Sequence, residues 1–472
     1  MNKTKIVATI GPATYDEQVL STIIDEGVNV CRLNFSHGSH EEYVRVIEFV
    51  RKLNEEKGNH TAILADLQGP KLRLGDVENG EVEIVSGDKI TLTSEEMVGN
   101  AKRAFVSYPT LANDIAPGAR ILIDDGKVVL KVLSTDGKSE VEAEIVQGGV
   151  LRPNKGTNFP DTKVSMPCLT EKDYIDLKFA LDHDIEWIAL SFVRSADDIR
   201  EVKKIIEEAD KTAKVIAKIE KPEALEVIDE IIEETDALMV ARGDLGVEIP
   251  MQDVPIIQKE LVRKCRRASK PVIIATQMIE SMIDSITPTR AEVNDVANAV
   301  MDGADAVMLS AETSLGNHPV EVIKAIYSIV EKSETFDEIY FHYKLPDKKS
   351  ERFISDSICF NATKMAERVE ATAIVTMSFS GYTGRKISSN RPRANTFVFT
   401  ANQSILNMLS LIWGVRGFYY DRFESTDGTI SDIMEILKKE KWISKGDLII
   451  NITSMPITDK AKSNMLKLSE VL

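Results

Sequence analysis

Residues 237–250 read ALMVARGDLGVEIP, and in this stretch a short apolar run passes directly into Arg242, Gly243 and Asp244. A bounded apolar run of this length is typical of a strand that is buried on both faces of a parallel sheet. Seven similar runs occur along the chain, and amphipathic patterns typical of helices separate most of them. The eight runs are KIVATIG, VNVCRLNFS, TAILADLQG, WIALSFV, KVIAKIE, ALMVARGD, PVIIATQM and AVMLSAET.

Eight strands that alternate with helices predict an α/β fold of the closed (β/α)8, or TIM barrel, type. Residues 71–153 interrupt this alternation with short alternating stretches and turn pairs such as Asn79-Gly80 and Asp136-Gly137, which predicts an inserted small β-barrel that caps the larger one as a lid. After residue 336, strands and helices alternate again. We therefore predict a barrel of residues 1–70 and 154–336, a lid of residues 71–153, and a C-terminal open α/β domain, Rossmann-like, of residues 337–472.

The composition excludes several classes of protein. A chain of 472 residues with a formal net charge of −17 is a poor candidate for binding nucleic acid. Its four cysteines are far apart in sequence and form no CxxC pair, so neither a disulfide framework nor a zinc site is indicated. No apolar stretch approaches the roughly twenty residues needed to cross a bilayer, and no signal peptide is recognisable. We expect a cytoplasmic protein with no membrane partner.

Polar side chains stand at the ends of the predicted strands. In a barrel of this type the active site lies at the carboxyl ends of the strands, so these residues are expected to converge on one mouth. Taken singly, each could equally belong to a surface salt bridge. Taken together they predict a site. They are Arg32, Asn34, Ser36, Asp66, Lys218, Glu220, Arg242, Asp244, Thr276, Ser310 and Glu312.

The chemistry of this set points to phosphate and a divalent metal. Glu220 and Asp244 offer hard oxygen ligands that suit Mg²⁺ or Mn²⁺ better than zinc. Lys218 stands two residues before Glu220, an arrangement that predicts an anion between the ammonium and the metal. If a helix follows Gly243, its first amides can bind a carboxylate. The cations Arg32, Arg73 and Lys155 suit an enzyme that handles phosphates, although each alone could be a surface residue.

These motifs resemble the pyruvate kinase family. CRLNFSHG, DLQGPKLRLG, AKIEK, MVARGDLGVE and ATQMIESM stand in that family's order. The resemblance implies conversion of phosphoenolpyruvate and ADP to pyruvate and ATP by a homotetramer. It also implies site roles: Lys218 neutralises the transferring phosphoryl group, Glu220 and Asp244 hold the divalent ion, Gly243 receives the substrate carboxylate, Thr276 lies near the protonated enolate, Arg32 grips the phosphate, and Arg73 and Lys155 contact the nucleotide.

Two departures from the family pattern carry expectations of their own. Asn34, Ser36, Asp66 and the Leu67 carbonyl match the family's potassium site, but Lys71 replaces a glutamate beside it, which predicts weak or absent activation by K⁺. The loop SFSGYTGRKISSNRP, with Ser378, Ser380 and Thr383, resembles half of the family's effector pocket. The glycine-rich second half is absent, so we do not expect activation by fructose 1,6-bisphosphate. Another phosphorylated effector and a plain helix start both remain open.

Two alternatives to this function stand beside it. One is a barrel lyase that uses phosphoenolpyruvate or pyruvate with a metal but without a phosphate-transfer lysine. The other is a catalytically silent relative that binds metabolites. Lys218 and the capping β insertion argue against the lyase. The joint retention of Lys218, Glu220, Asp244 and Thr276 argues against the silent relative. The sequence does not identify the proton donor to the enolate.

Overall fold

The computed structural model describes residues 2–423, 425–457 and 462–472. It begins with the first three barrel strands and the two helices between them. Helix starts follow the sequence signals: Asp16 accepts hydrogen bonds from the amides of Gln18 and Val19, and Ser39 forms a capping box with Glu42. The elements are β1 (Lys5–Thr9), α1 (Glu17–Asp25), β2 (Val30–Asn34), α2 (His40–Lys57) and β3 (Ala62–Asp66).

The insertion folds separately as β structure around its own apolar core, which includes Leu92, Val106 and Leu130. Its elements are β4 (Val82–Ile84), β5 (Lys89–Thr93), β6 (Arg103–Phe105), α3 (Leu111–Asp114), β7 (Arg120–Ile123), β8 (Val128–Thr135), β9 (Glu140–Gln147), β10 (Gly149–Leu151) and β11 (Thr157–Asn158). Six strands form a sheet in the order β11-β7-β8-β9-β5-β6, and β10 pairs with β4. Strand β11 lies beyond residue 153, the predicted end of the lid. The sequence did not indicate it because a strand of two residues shows no alternating pattern. It joins the lid sheet by pairing with β7.

The remaining five strands complete the barrel. The elements are α4 (Glu171–Asp182), β12 (Trp187–Leu190), α5 (Ala196–Glu208), β13 (Lys214–Ile219), α6 (Pro222–Glu226), α7 (Ile228–Glu234), β14 (Ala237–Ala241), α8 (Arg242–Glu248), α9 (Val254–Ala268), β15 (Val272–Ala275), α10 (Arg290–Asp302), β16 (Ala306–Leu309), α11 (Ala311–Ser314) and α12 (Pro319–Ser333). The eight strands close in the order β1-β16-β15-β14-β13-β12-β3-β2, all parallel. The predicted (β/α)8 barrel is confirmed.

The C-terminal domain is an α/β unit, as predicted. Its elements are α13 (Phe353–Arg368), β17 (Ala373–Met377), α14 (Tyr382–Ser389), β18 (Asn395–Thr400), α15 (Gln403–Met408), β19 (Val415–Tyr419), α16 (Thr426–Lys439), β20 (Leu448–Thr453) and β21 (Met465–Glu470). Short 3₁₀ helices occur at Pro12–Thr14, Glu78–Gly80, Met251–Asp253, Glu280–Ile283, Asp337–Ile339 and Leu409–Leu411. The sheet order is β19-β18-β17-β20-β21, and the edge strand β21, antiparallel to β20, was not expected from the sequence.

The C-terminal domain covers the amino-terminal floor of the barrel. Leu411, Ile412 and Val415 belong to the same buried cluster as the inward-facing barrel residues Val7 and Trp187. The domain therefore closes the floor with apolar side chains and leaves the opposite mouth to the lid. Within the described residues no helix combines the length and the apolarity needed to cross a membrane.

Lys5 is buried at this floor and donates a 2.9 Å hydrogen bond to the carbonyl of Val415. Burial lowers its pKa from 10.5 to about 7, although the charge of Glu334 opposes the shift. Because the unfolded chain binds this proton more tightly, Lys5 costs most stability below pH 7, and that cost disappears as the pH rises from about 7 towards 10.5. The increase in the free energy of unfolding caused by Lys5→Met should therefore be larger at pH 6 than at pH 9. The difference between the two increases should be about 2–3 kcal/mol.

Paired thermal unfolding of the wild type and Lys5→Met at the two pH values measures this difference. Lys52→Met removes an exposed lysine and is the matched control. An equal effect of Lys5→Met at pH 6 and pH 9 would contradict a depressed pKa.

Candidate active site

Three charged side chains meet inside the mouth of the barrel, each from a different strand. The Arg32 guanidinium donates from Nε to Asp66 Oδ2 at 2.7 Å, and Lys218 Nζ lies 3.1 Å from Asp66 Oδ1. All three side chains are buried or nearly so. Burial alone would raise the pKa of Asp66, but the charges of Lys218 and Arg32 outweigh it and lower that pKa. Asp66 is thus ionised and holds two cations at the mouth.

Lys218 also contacts Glu220, with 3.0 Å between Nζ and Oε1. Burial would lower the pKa of Lys218, yet the carboxylates of Asp66 and Glu220 raise it above its ordinary value, so the ammonium is charged. The ammonium thus bridges Asp66 and Glu220. The anion that the sequence predicts between Lys218 and a bound metal ion stays a prediction.

Glu220 and Asp244 are the two carboxylates that could hold a divalent ion. Burial raises the pKa of Glu220, Lys218 opposes this, and the charge of Asp244 raises it further. A buried carboxylate in the field of a second one favours a bound cation, and two carboxylate oxygens suit Mg²⁺ or Mn²⁺ with substrate and water as the other ligands. Among the described residues, this site included, no group of three or more His, Cys, Asp or Glu side chains could hold a metal, so the ion would depend on ligands from substrate and water.

Two hydroxyl residues complete the mouth and were missed in the sequence. Lys218 Nζ donates to Ser191 Oγ at 2.6 Å, and Ser191 in turn donates to the Leu67 carbonyl at 2.7 Å. Arg32 Nη1 donates to Thr9 Oγ1 at 2.7 Å. Thr9 is the last residue of β1 and Ser191 directly follows β12, so the strand-end argument, applied to these two strands as well, would have found them.

The Arg-Gly-Asp segment begins helix α8 immediately after β14, as the sequence argument required for Gly243. The amide of Gly243 donates to Thr276 Oγ1 at 2.8 Å, and a Cβ at position 243 would lie 3.4 Å from that oxygen. Thr276 has a φ of 69° and Gln277 a φ of 52°. A β-branched residue rarely adopts this left-handed conformation, so the backbone at Thr276 is strained and must be held by its neighbours.

Arg242 stabilises this strained backbone. The expectation that its side chain points into the mouth was therefore wrong. Its guanidinium donates to the carbonyl of Thr276 at 2.6 Å and to the carbonyl of Ala275 at 3.3 Å. It also forms a paired contact with Asp295 of α10, both distances being 2.8 Å. The chain enters α8 at residue 242, so the side chain is directed towards β15 and α10 and away from the centre of the barrel.

Glu312 is a second correction. Its side chain is buried and accepts hydrogen bonds from the amides of Ser310 at 2.7 Å and Ile279 at 3.5 Å. Each carboxylate oxygen thus accepts from a backbone amide, so Glu312 supports the loop after β16 and its contact with the loop after β15.

The lid brings its cations to the same opening. A cavity of about 250 Å³ between lid and barrel is lined by residues that include Lys71, Arg73, Lys155, Asn158, Lys221 and Asp244. Arg73 donates to the carbonyl of Asn154 at 2.8 Å, and Lys155 lies 3.0 Å from Asp124. Both cations remain partly exposed, so they can reach an anionic ligand in the cavity.

The four groups of the expected potassium site lie around the ends of β2 and β3. Asn34 Oδ1 accepts from the amide of Ser36 at 3.3 Å, and the Leu67 carbonyl accepts from Ser191. Asp66 Oδ1 is buried and lies 3.1 Å from the Lys218 ammonium, so this oxygen already faces a cation. Lys71 and Arg73 lie near enough to this loop that, after burial, their charges lower the pKa of His37.

The three expected effector residues also come together. Ser378, Ser380 and Thr383 line a second cavity of about 250 Å³ in the C-terminal domain, together with Arg352 and Lys462. Thr383 Oγ1 lies 3.2 Å from Ser463 Oγ. The loop turns through Gly381, whose φ is 72°, into α14. A helix does start here, so the structure agrees with both alternatives that the sequence left open.

Known protein families and relatives match nearly the whole chain. The family model "Pyruvate kinase, barrel domain" matches residues 1–323, and the model "Pyruvate kinase, alpha/beta domain" matches residues 356–469. The chain is 41% identical to the pyruvate kinase of Geobacillus stearothermophilus, covering 98% of this chain and 80% of that protein. It is also 41% identical to the pyruvate kinase of Corynebacterium glutamicum, covering 98% of this chain and 96% of that protein.

A solved structure agrees with these sequence relatives. The crystal structure of a pyruvate kinase from Cryptosporidium parvum superposes with a TM-score of 0.94 at 33% identity, covering 100% of this chain and 96% of that chain. The resemblance therefore includes barrel, lid and C-terminal domain.

Proposed function

The chain belongs to the pyruvate kinase family, and from this membership we propose how its residues act in the transfer of the phosphoryl group from phosphoenolpyruvate to ADP. The observation that carries the proposal is the ammonium of Lys218, held between Asp66 and Glu220 at the mouth of the barrel. Asp244 and Lys221, the neighbour of Glu220, line the cavity into which Arg73 and Lys155 extend. Phosphoryl transfer needs this kind of concentrated, positioned positive charge more than it needs a covalent catalyst.

Glu220 and Asp244 are the proposed ligands of a divalent ion, Mg²⁺ or Mn²⁺. When bound, this ion supplies positive charge to substrate oxygens. The first turn of α8, at Gly243 and Asp244, is the proposed site of the substrate carboxylate, which would share the Gly243 amide with Thr276 Oγ1. Arg32, fixed by Asp66 and Thr9, binds the phosphate from the opposite side.

The reaction itself has two steps. A terminal phosphate oxygen of ADP attacks phosphorus, and the bond between phosphorus and the enol oxygen breaks with its electron pair left on that oxygen. Lys218 stabilises the charge on the transferring group. The resulting enolate then takes a proton at its methylene carbon to give pyruvate. Thr276, whose hydroxyl oxygen accepts from the Gly243 amide, is the proposed contact of the substrate near this carbon.

Arg73 and Lys155 are the proposed contacts of the nucleotide phosphates. Both lie at the junction of lid and barrel, so movement of the lid towards the barrel would bring them closer to the substrate. Closure would also exclude water, which competes with ADP as acceptor.

Detection of both pyruvate and ATP from phosphoenolpyruvate, ADP and Mg²⁺ tests the function. Formation of pyruvate without ATP would favour the lyase alternative, and binding without turnover would favour the silent relative. Adding sugar phosphates and nucleotides to the same assay tests the effector cavity. There, Arg352 and Lys462 support a phosphorylated ligand other than fructose 1,6-bisphosphate.

We expect weak or absent activation by K⁺, because the ammonium of Lys71 can supply the charge that potassium brings elsewhere in the family. Its influence on His37 supports a position beside the loop of Asn34 and Ser36. Replacing K⁺ by tetramethylammonium should change kcat/KM less than about twofold. Lys71→Glu should create a K⁺ dependence of about tenfold, which corresponds to roughly 1.4 kcal/mol. Strong activation of the wild type by K⁺ would contradict this.

A homotetramer is proposed from family membership and supported by exposed apolar side chains. One group lies around α8 to α11 and the other on or near α13: Met251, Ile256, Ile286, Leu315, Leu345 and Ile354. A solution mass four times 52.4 kDa is expected, and a mass of one chain would exclude it. A cytoplasmic location is proposed because all four cysteines are free and buried.

A further inference from the structure

Glu248, the last residue of α8, joins the lid to the barrel through one carboxylate oxygen. Its Oε1 accepts from Lys221 Nζ at 2.6 Å and from Asn158 Nδ2 at 2.7 Å. Glu248 is 4% exposed and Lys221 8% exposed, so the contact is buried. No role in the reaction described above requires any of these three residues.

The three residues come from elements that each belong to a different part of the site. Lys221 directly follows Glu220, a proposed metal ligand. Glu248 ends the helix whose first turn carries Gly243 and Asp244. Asn158 lies in β11, where it pairs with Leu122 of β7 in the lid sheet. One oxygen thus connects both metal-binding segments to the lid.

The two bonds to Glu248 differ in character. The contact between Lys221 and Glu248 is a buried ion pair, and separating it would leave an uncompensated charge in the interior. The bond from Asn158 comes from a neutral amide that can exchange its acceptor for water or ligand. The ion pair is therefore the costlier of the two contacts to break, and the amide bond is the one whose acceptor can be exchanged.

The second oxygen of Glu248 is also informative. Oε2 is buried and has no hydrogen-bond partner among the residues that the structure describes. A buried acceptor without a partner is rare in proteins and calls for a function. Here it leaves the carboxylate able to accept a further donor without releasing Lys221.

We propose that Glu248 is a positioning residue that couples the position of the lid to the affinity of Glu220 and Asp244 for the divalent ion. The inference rests on the proposed metal site. Asn158, Lys221 and Asp244 all line the cavity that holds Arg73 and Lys155. The Lys221–Glu248 pair joins α8 to the end of β13, and Asn158 ties this pair to the lid. The position of the lid is therefore transmitted to both segments that carry the metal ligands.

Another contact at this junction provides a matched control. Lys163, in the segment that returns from the lid, lies 4.0 Å from Glu226 of α6, and both side chains are largely exposed. An exposed pair of this kind contributes little. Lys163→Ala should leave metal affinity and kinetic constants unchanged.

The test measures the dissociation constant of Mn²⁺ by electron paramagnetic resonance in the nucleotide-free enzyme, together with KM for ADP and kcat. Asn158→Leu removes the lid-side bond and keeps the ion pair. We expect it to raise the Mn²⁺ dissociation constant about three- to tenfold, with a rise in KM for ADP of similar size and a smaller change in kcat. Glu248→Gln removes the charge that balances Lys221 and should weaken Mn²⁺ binding by about tenfold or more.

The Mn²⁺ measurement separates coupling from a local effect, because Asn158 lines the nucleotide cavity and could alter KM for ADP directly. A changed KM with Mn²⁺ affinity within twofold of the wild type would overturn the proposal, as would no change in either. Should Glu248→Gln fail to fold, Asn158→Leu decides alone. Glu220→Gln serves as reference: if it retains Mn²⁺ binding, the proposed metal site itself is wrong, whereas if it loses binding and Asn158→Leu does not, only the coupling fails.

Discussion

Lys218→Met is expected to lower kcat by roughly 10³- to 10⁵-fold, the range seen when a positioned cation is removed from a phosphoryl-transfer site. The ammonium is held by Asp66, Glu220 and Ser191 within 3.1 Å, so it needs no reorganisation when charge develops on the transferring group. Methionine has a similar length but no charge. Steady-state kinetics with phosphoenolpyruvate and ADP at saturating Mg²⁺ measures the loss.

Two controls separate this effect from a folding defect. Lys214→Met changes the same residue type at the opposite end of β13 and should leave kcat within about twofold. Removing Lys218 also leaves Asp66 and Glu220 without a cation, so the thermal midpoint of Lys218→Met should be measured with and without Mg²⁺. A folded Lys218→Met enzyme with kcat within tenfold of the wild type would show that the lysine does not act on the transferring group.

Arg242→Met is expected to lower kcat by about 10²-fold although its side chain does not face the substrate cavity. The strained backbone of Thr276 costs of the order of 1–3 kcal/mol and persists because Arg242 holds its carbonyl. Without the guanidinium the segment can relax, and a shift of about 1 Å at a reacting group can cost two orders of magnitude. Arg242→Lys keeps the charge but loses the fork that reaches Asp295 and two carbonyls, so an intermediate loss is expected.

A double mutant distinguishes positioning from a general loss of stability. If Arg242 acts through Thr276, the combination of Arg242→Met with Thr276→Ala should lose little more activity than Thr276→Ala alone. Exchange of the methyl protons of pyruvate with deuterated solvent reports on the enolate step separately and should fall in parallel. Additive losses in the double mutant would place the effect of Arg242 elsewhere.

Several residues of the site could be predicted from their positions along the strands. Arg32, Asp66 and Lys218 were chosen because they end or lie near the end of apolar runs, and parallel strands in a closed barrel bring those ends together. Thr9 and Ser191 occupy equivalent positions at the ends of β1 and β12, and they were missed because the prediction drew on the ends of the other six strands. Their roles depend on which cation lies within reach across the barrel.

Arg242 and Glu312 illustrate the opposite error. Both stand where the rule for strand ends predicts a residue of the mouth, and both turn to support neighbouring loops. The side-chain direction at such positions depends on how the chain leaves the strand. At Arg242 the chain enters a helix without an intervening loop, and periodicity alone does not report that.

By itself the sequence determined the barrel, the insertion, the third domain and the residue types that gather at the mouth, because burial of alternating elements leaves a recognisable periodicity in the chain. Only the tertiary structure decided that Arg242 clamps Thr276, that Ser191 links Lys218 to Leu67, and that Glu248 joins Asn158 to Lys221. Contacts between residues far apart in sequence depend on distances and angles across the fold, and no local pattern encodes them.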